Sequence, residues 1–206
     1  MMQSPLLTAA LSSFSAWGAV LLSPITLDPS SSSSTPNAAL LKATLLLLAC
    51  RLLLATLRIW SEPDSRDKAI QALLWTCIGT ISLWMLAVLF GAPLFELVEE
   101  TWLAAAFVAT LVVFPASCGV GGDGEAWRRV VSSTGRLKTT TERLAYYPLT
   151  LGILGAWLGA GALSLDWQTD MQRWPVPVVY GALVGSSAGY AVAVAADHVA
   201  EEEGRA

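Results

Sequence analysis

Six stretches of this chain stay apolar for long enough to cross a lipid bilayer, and that limits the fold before any motif is weighed. They lie near residues 5–26, 39–60, 70–90, 98–117, 147–165 and 176–197. The hydrocarbon core is about 30 Å thick and a helical residue rises about 1.5 Å, so about 20 apolar residues span it. Within hydrocarbon every backbone N–H and C=O needs an internal partner, which a helix supplies from its own segment. Charge is correspondingly scarce: 14% of the 206 residues are charged, where a soluble domain carries about 25%. The expectation is an all-α, polytopic bundle of about six transmembrane helices, a single integral membrane domain over residues 1–206. The first stretch lacks a basic n-region and is longer than a usual h-region, so it reads as a retained anchor.

Charge placement sets the expected orientation. Six crossings put both termini on one side. That side then carries Arg58, Arg66, Lys68, Arg128, Arg129, Arg136, Lys138, Arg143 and Arg205, while only Lys42 and Arg173 face the other and Arg51 lies within a span. Basic residues concentrate in cytoplasmic loops. The termini and the long fourth loop (118–146) are therefore expected in the cytosol. The serine run Ser30 to Ser34, the Gly91-Ala-Pro93 turn and the Asp166-to-Trp174 loop are expected on the lumenal or exterior face.

Few residues suit catalysis. The one histidine, His198, sits beside Asp197 near the end of the last span. A lone histidine there makes neither a Ser-His-Asp set nor a zinc site without converging carboxylates. The run Gly119-Val-Gly-Gly-Asp-Gly124 lacks the Lys-Ser/Thr ending of a phosphate loop and reads as a flexible start to the fourth loop. Cys50, Cys77 and Cys118 are odd in number, and two lie within spans, which argues against a disulfide framework. No cofactor, no metal and no nucleic-acid partner is expected.

Three features carry alternatives. Glu96, Glu99 and Glu100 are spaced to share one helical face; they either favour a helix N-terminus electrostatically or bind a cation or cationic headgroup. Arg51, mid-span, is costly unless paired or hydrated; it contacts lipid phosphate or a partner carboxylate, or pairs within the bundle, or snorkels. Gly181, Gly185 and Gly189 recur every four residues, and Gly155 and Gly159 form a second such pair. Small residues let helices approach closely in lipid. They join the last two helices to each other or dock them on another subunit.

The loop Asp166-Trp167 to Arg173-Trp174-Pro175 places two tryptophans where an interface favours them, and Pro175 fixes the entry to the last helix. Two stretches resemble the phosphatidylinositol-glycan biosynthesis class F (PIG-F) family. One is Leu89-Phe-Gly-Ala-Pro-Leu-Phe-Glu-Leu97, continuing to Glu100-Thr-Trp102. The other runs Gly155-Ala-Trp157-Leu-Gly159-Ala160, Leu165-Asp-Trp167, Trp174-Pro-Val-Pro177, Gly181 and Gly189-Tyr190. They cover about the last 120 residues; the first two helices match in hydropathy alone. The turn 166–174 lacks the proline expected within the family's loop.

The resemblance implies a non-catalytic membrane subunit of the endoplasmic reticulum. It would bind and stabilise the large transferases that move ethanolamine phosphate from phosphatidylethanolamine onto mannoses of the glycosylphosphatidylinositol (GPI) anchor, with the catalytic metal site in the partner's lumenal domain. The expected partner and interface residues are Gly91, Pro93, Glu96, Glu100, Gly155, Trp157, Gly159, Asp166, Trp167, Trp174, Pro175, Gly181, Gly185 and Gly189, with Arg51 as a lipid contact. The rival is a lipid-handling or transporter-like protein in which Arg51, Glu96 and Glu100 line a path for phospholipid headgroups. It expects Arg51→Leu to abolish function while partner binding persists.

Overall fold

A computed structural model describes residues 5–22, 36–59, 65–92, 95–132, 137–164 and 173–203. Among these residues the structure is helical, with no strand. The elements are α1 (Pro5–Leu22), α2 (Pro36–Ile59), α3 (Ser65–Leu89), α4 (Val98–Val108), a π-helical turn (Ala109–Val113), α5 (Phe114–Val120), α6 (Gly124–Ser132), α7 (Thr140–Gly161) and α8 (Val176–Glu203). Pro5 and Pro36 open α1 and α2, where the missing N–H would have had no helical partner. Among the described residues, three helices are long and apolar enough, by length and composition, to cross a membrane: Asp67–Leu89, Val98–Val120 and Val176–Ala200. Within the described residues, α1, α2 and α7 run through the other three apolar windows.

The unit α4–π–α5 is the central post. Phe107, Leu111, Val112 and Phe114 are fully or almost fully buried on it. It packs against α2, α3, α7 and α8, while α1 bridges α2 and α8 and Trp17 Nε1 donates to Ser187 Oγ at 3.0 Å. The π turn has a readable cause. Pro115 has no N–H, so the Leu111 carbonyl loses the donor it would have in α-helical register, and a proline ring also crowds that carbonyl. The backbone widens just before it, with Phe114 N donating to the Ala109 carbonyl. Arg51 of α2 then reaches across: its Nη2 lies 3.5 Å from the Leu111 carbonyl and 3.3 Å from the Ser12 carbonyl of α1.

Helix ends follow local chemistry. Gly91 adopts φ +101°, Gly91 N donates to Val88 O and Ala92 N to Ala87 O; this is the glycine C-terminal motif in which a left-handed residue lets two late carbonyls be satisfied. The stretch after Gly119 is not the flexible lead-in expected of it. Helix α5 runs to Val120, and the Asp123 carboxylate accepts from Glu125 N and Ala126 N to start α6, as an N-cap does. The fourth loop thus contains a short helix, and α7 starts at Thr140, seven residues before the expected span, because Thr139 accepts from Glu142 N.

That end of the bundle is polar. Arg129 donates to Glu142 Oε1 through Nη2 at 2.7 Å and Nε at 3.1 Å, and Lys138 N donates to Glu142 Oε2 at 2.7 Å. Thr140 Oγ1 donates to Asp197 Oδ1 at 2.7 Å, and Arg143 lies 3.5 Å from the same oxygen. The hydrogen bond from Arg129 holds the Glu142 carboxyl below its ordinary value of 4.5, against the opposing effect of burial. A lowered folded-state value stabilises the fold above the unfolded value and loses that contribution as pH falls through the folded one. Thermal unfolding of the detergent-solubilised chain is therefore expected to show a stability loss below about pH 4.5, part of which disappears in Glu142→Gln. An identical acid profile for the variant would contradict this.

Candidate functional site

At the opposite end from these ion pairs, the last turns of α3 and α7 meet the first turns of α4 and α8 around a partly open cavity of about 970 Å³. Its lining includes Leu83, Leu86, Ala87 and Phe90 of the α3 end, Thr101, Ala104, Ala105 and Val108 of α4, and Trp157 and Ala160 of α7; Trp174 and Val178 close it from the α8 side. Apolar atoms dominate. Trp174 Nε1 donates to Thr101 Oγ1 at 3.0 Å, so the indole keeps a hydrogen bond where its ring is half-buried, as such rings require. The Thr101 hydroxyl in turn donates to the Leu97 carbonyl at 2.9 Å, and Leu97 holds the left-handed φ of 55° just before α4. A three-part chain of contacts therefore fixes the entry of α8 to the start of α4.

Of the residues singled out by sequence, Gly91, Trp157 and Trp174 meet at this cavity. Pro175 is buried beside it, after a cis peptide bond from Trp174. Glu96 and Glu99 are exposed and Glu100 partly so at the start of α4, with Glu99 engaged in an interaction within the chain. Pro93, Asp166 and Trp167 lie outside the described residues. Thr101 and the small face Ala104–Ala105–Val108 were not singled out. Their spacing of three and four is visible in the sequence, but nothing there pairs Thr101 with a tryptophan 73 positions away.

The glycines form a seam below the cavity. An atom added as Cβ at Gly155 would lie 2.2 Å from the Gly181 carbonyl oxygen, and at Gly181 2.1 Å from the Gly155 carbonyl oxygen. At Gly159 it would meet the Pro177 carbonyl at 2.2 Å, at Gly185 the Leu151 carbonyl at 2.1 Å, and at Gly189 the Tyr147 carbonyl at 2.5 Å. Pairs advancing on α8 while receding on α7 make the two helices antiparallel, with backbone against backbone. Of the two uses open to these glycines, the geometry has them joining α7 to α8 within the chain; that face is occupied and does not present a row to another subunit. Gly152 extends it toward Val112 of the π turn, whose Cγ1 would be 2.6 Å from an added Cβ. The outer side of α7 remains open, with Leu154, Trp157 and Leu158 exposed.

Arg51 is not placed as a lipid contact. It is 3% exposed, its Nη2 is held by the two carbonyls described above, and Nε has no partner among the described residues. It bridges three elements through backbone oxygens because Pro115 leaves one of them short of a donor. Arg51→Ala is expected to lower stability by about 2 kcal/mol or more, measured as a drop in thermal unfolding temperature. Arg51→Met, which refills the volume, should recover part of the loss; equal stability for all three proteins would contradict this role. No group of three or more His, Cys, Asp or Glu suited to a metal occurs among the described residues.

Comparison with known proteins gives a consistent result. The profile of the GPI biosynthesis protein family Pig-F matches residues 16–194. A glycosylphosphatidylinositol anchor biosynthesis protein 11 from Pyricularia oryzae is 36% identical over 128 residues, 62% of this chain and 47% of the relative. A human GPI ethanolamine phosphate transferase, stabilizing subunit, is 34% identical over 136 residues, 64% of this chain and 62% of the relative. A Neurospora crassa protein 11 is 40% identical over 117 residues, 57% of this chain and 41% of the relative. The matches thus span less than two thirds of the length of these curated relatives. No solved structure matches.

Proposed function

Because this chain belongs to the Pig-F family of GPI biosynthesis proteins, we propose that it is a non-catalytic membrane subunit that binds and stabilises a GPI ethanolamine phosphate transferase. The reading is carried by the match to relatives named as stabilizing subunits of that transferase. In this reading the partner meets the cavity end, a choice supported by the convergence there of Gly91, Thr101, Trp157 and Trp174. The glycine seam supports this end from below by locking α7 to α8. The exposed residues Leu158 of α7 and Phe95 before α4 then offer apolar area to a partner's membrane helices, which in lipid associate by packing.

In this reading the chain crosses the membrane six times as one unit across residues 1–206. The ion-pair end, with Arg129, Lys138 and Arg143, lies in the cytosol with both termini. The cavity end faces the lumen of the endoplasmic reticulum, the side on which the sequence segment with Asp166 and Trp167, between α7 and α8, is expected. The rival headgroup path through Arg51 is not favoured, because that guanidinium is buried among backbone carbonyls.

The test is the lifetime of the transferase. Depleting this chain in cells is expected to shorten the half-life of the transferase catalytic subunit, and re-expressing the chain should restore it. A transferase that persists at its normal level, with normal transfer of ethanolamine phosphate, would overturn the proposal.

A further inference from the structure

We infer that the cavity at the ends of α3, α4, α7 and α8 is a binding site for a bilayer phospholipid, with one acyl chain inside and a zwitterionic headgroup at the rim. The volume of about 970 Å³ is at the upper end for a small-ligand site. Its walls are hydrocarbon: Leu83, Leu86, Ala104, Ala105, Val108 and Ile153 among them. The cavity is partly open, and its exposed lining comprises the large apolar residues Leu86, Phe90, Leu154 and Trp157 together with Gly91 and Thr150. The membrane-length helices Asp67–Leu89 and Val98–Val120 form its sides, and Val178 of the third, Val176–Ala200, closes it. The opening therefore lies where lipid tails are the surrounding medium. Lining atoms with nothing opposite them forfeit dispersion contact, and an acyl chain entering sideways restores it without bringing in water.

The rim selects the headgroup. Glu100 stands one helical turn before the lining residue Ala104, and Glu96 precedes α4, both with solvent access. Arg173 is exposed and directly precedes Trp174, which closes the cavity. Carboxylates on the α4 side and a guanidinium on the α8 side complement a headgroup that carries a cationic group and a phosphate. An anionic headgroup would face those carboxylates with no cation of its own. The site requires that these helices be membrane-embedded and does not depend on the transferase reading.

The experiment uses the full chain reconstituted in nanodiscs. A phosphatidylcholine and a phosphatidylglycerol, each with the same photoactivatable diazirine on an acyl chain, are crosslinked and the labelled residues mapped by mass spectrometry. The expected result is phosphatidylcholine labelling concentrated on the cavity faces of α3, α4 and α7, stronger than that from phosphatidylglycerol. Ala87→Phe, which fills the cavity from the peripheral α3, should cut this labelling about tenfold, the weight of roughly two methylene groups withdrawn from the contact. Glu96→Gln with Glu100→Gln should keep acyl labelling but erase the preference between the two lipids. Labelling spread evenly over the outer face of α3 would overturn the inference, as would a cavity crosslinked only to a transferase helix in the purified complex. The map on the unaltered chain decides this even if Ala87→Phe fails to fold, and it leaves transferase stabilisation as a separate readout.

Discussion

Gly185→Leu is expected to unfold the α7–α8 pair rather than merely weaken a surface. The Leu151 carbonyl oxygen lies 2.1 Å from where the first side-chain atom would go, and the Gly155 Cα 3.2 Å away. Backbone cannot rotate aside as a side chain does, so the helices must separate along the seam. Overpacking of ordinary cores costs about 1–3 kcal/mol; here the loss is expected at or above about 3 kcal/mol. Two comparisons make the expectation specific. Gly18→Leu, where nothing lies within 4 Å of an added Cβ, should be tolerated. Gly185→Leu should lower the thermal stability of the chain purified alone, because the seam is internal to it. A Gly185→Leu chain that is stable alone but no longer binds a partner would instead mean that α8 turns this face outward.

Trp174→Ala is expected to have the second largest effect, on the cavity end itself. It removes the ring that closes the cavity and leaves the Thr101 hydroxyl without the indole N–H. Truncating a large aromatic costs about 3–5 kcal/mol in a full core; with this ring half-buried, about 2 kcal/mol is expected. Trp174→Phe keeps most of the packing and loses only the hydrogen bond, worth about 1 kcal/mol. In cells the recovery of transferase with the chain should fall strongly in Trp174→Ala and slightly in Trp174→Phe. Equal recovery for both and for the parent chain would place the partner's contact elsewhere.

Much of the fold was legible because hydrophobic length is a coarse and robust feature. Each of the six apolar windows contains helix among the described residues, and three helices found there are long and apolar enough to cross a bilayer by length and composition. Helix α7 mixes Leu and Ile with Gly, Tyr, Thr and Trp, which dilutes its hydropathy for the same reason that it packs tightly. The glycine rows were visible as rows; their partner was not, since spacing describes a face and not what lies against it. Arg51 shows the same limit from the other side. A mid-span arginine reads as a functional charge, and its role as a donor near the Leu111 carbonyl depends on Pro115, far away in sequence. The resemblance read from the sequence rests on the Gly-Ala-Trp, Trp-Pro and Phe-Gly-Ala-Pro stretches, and residues of all three line one cavity.

Co-purification tests most directly whether the chain functions as part of a larger enzyme. The tagged chain would be extracted in mild detergent and its companions identified and quantified by mass spectrometry. The account predicts a GPI ethanolamine phosphate transferase catalytic subunit in near-equal amount, lost in Gly185→Leu together with the chain's own fold. A stable, monodisperse chain recovered without any transferase would contradict it.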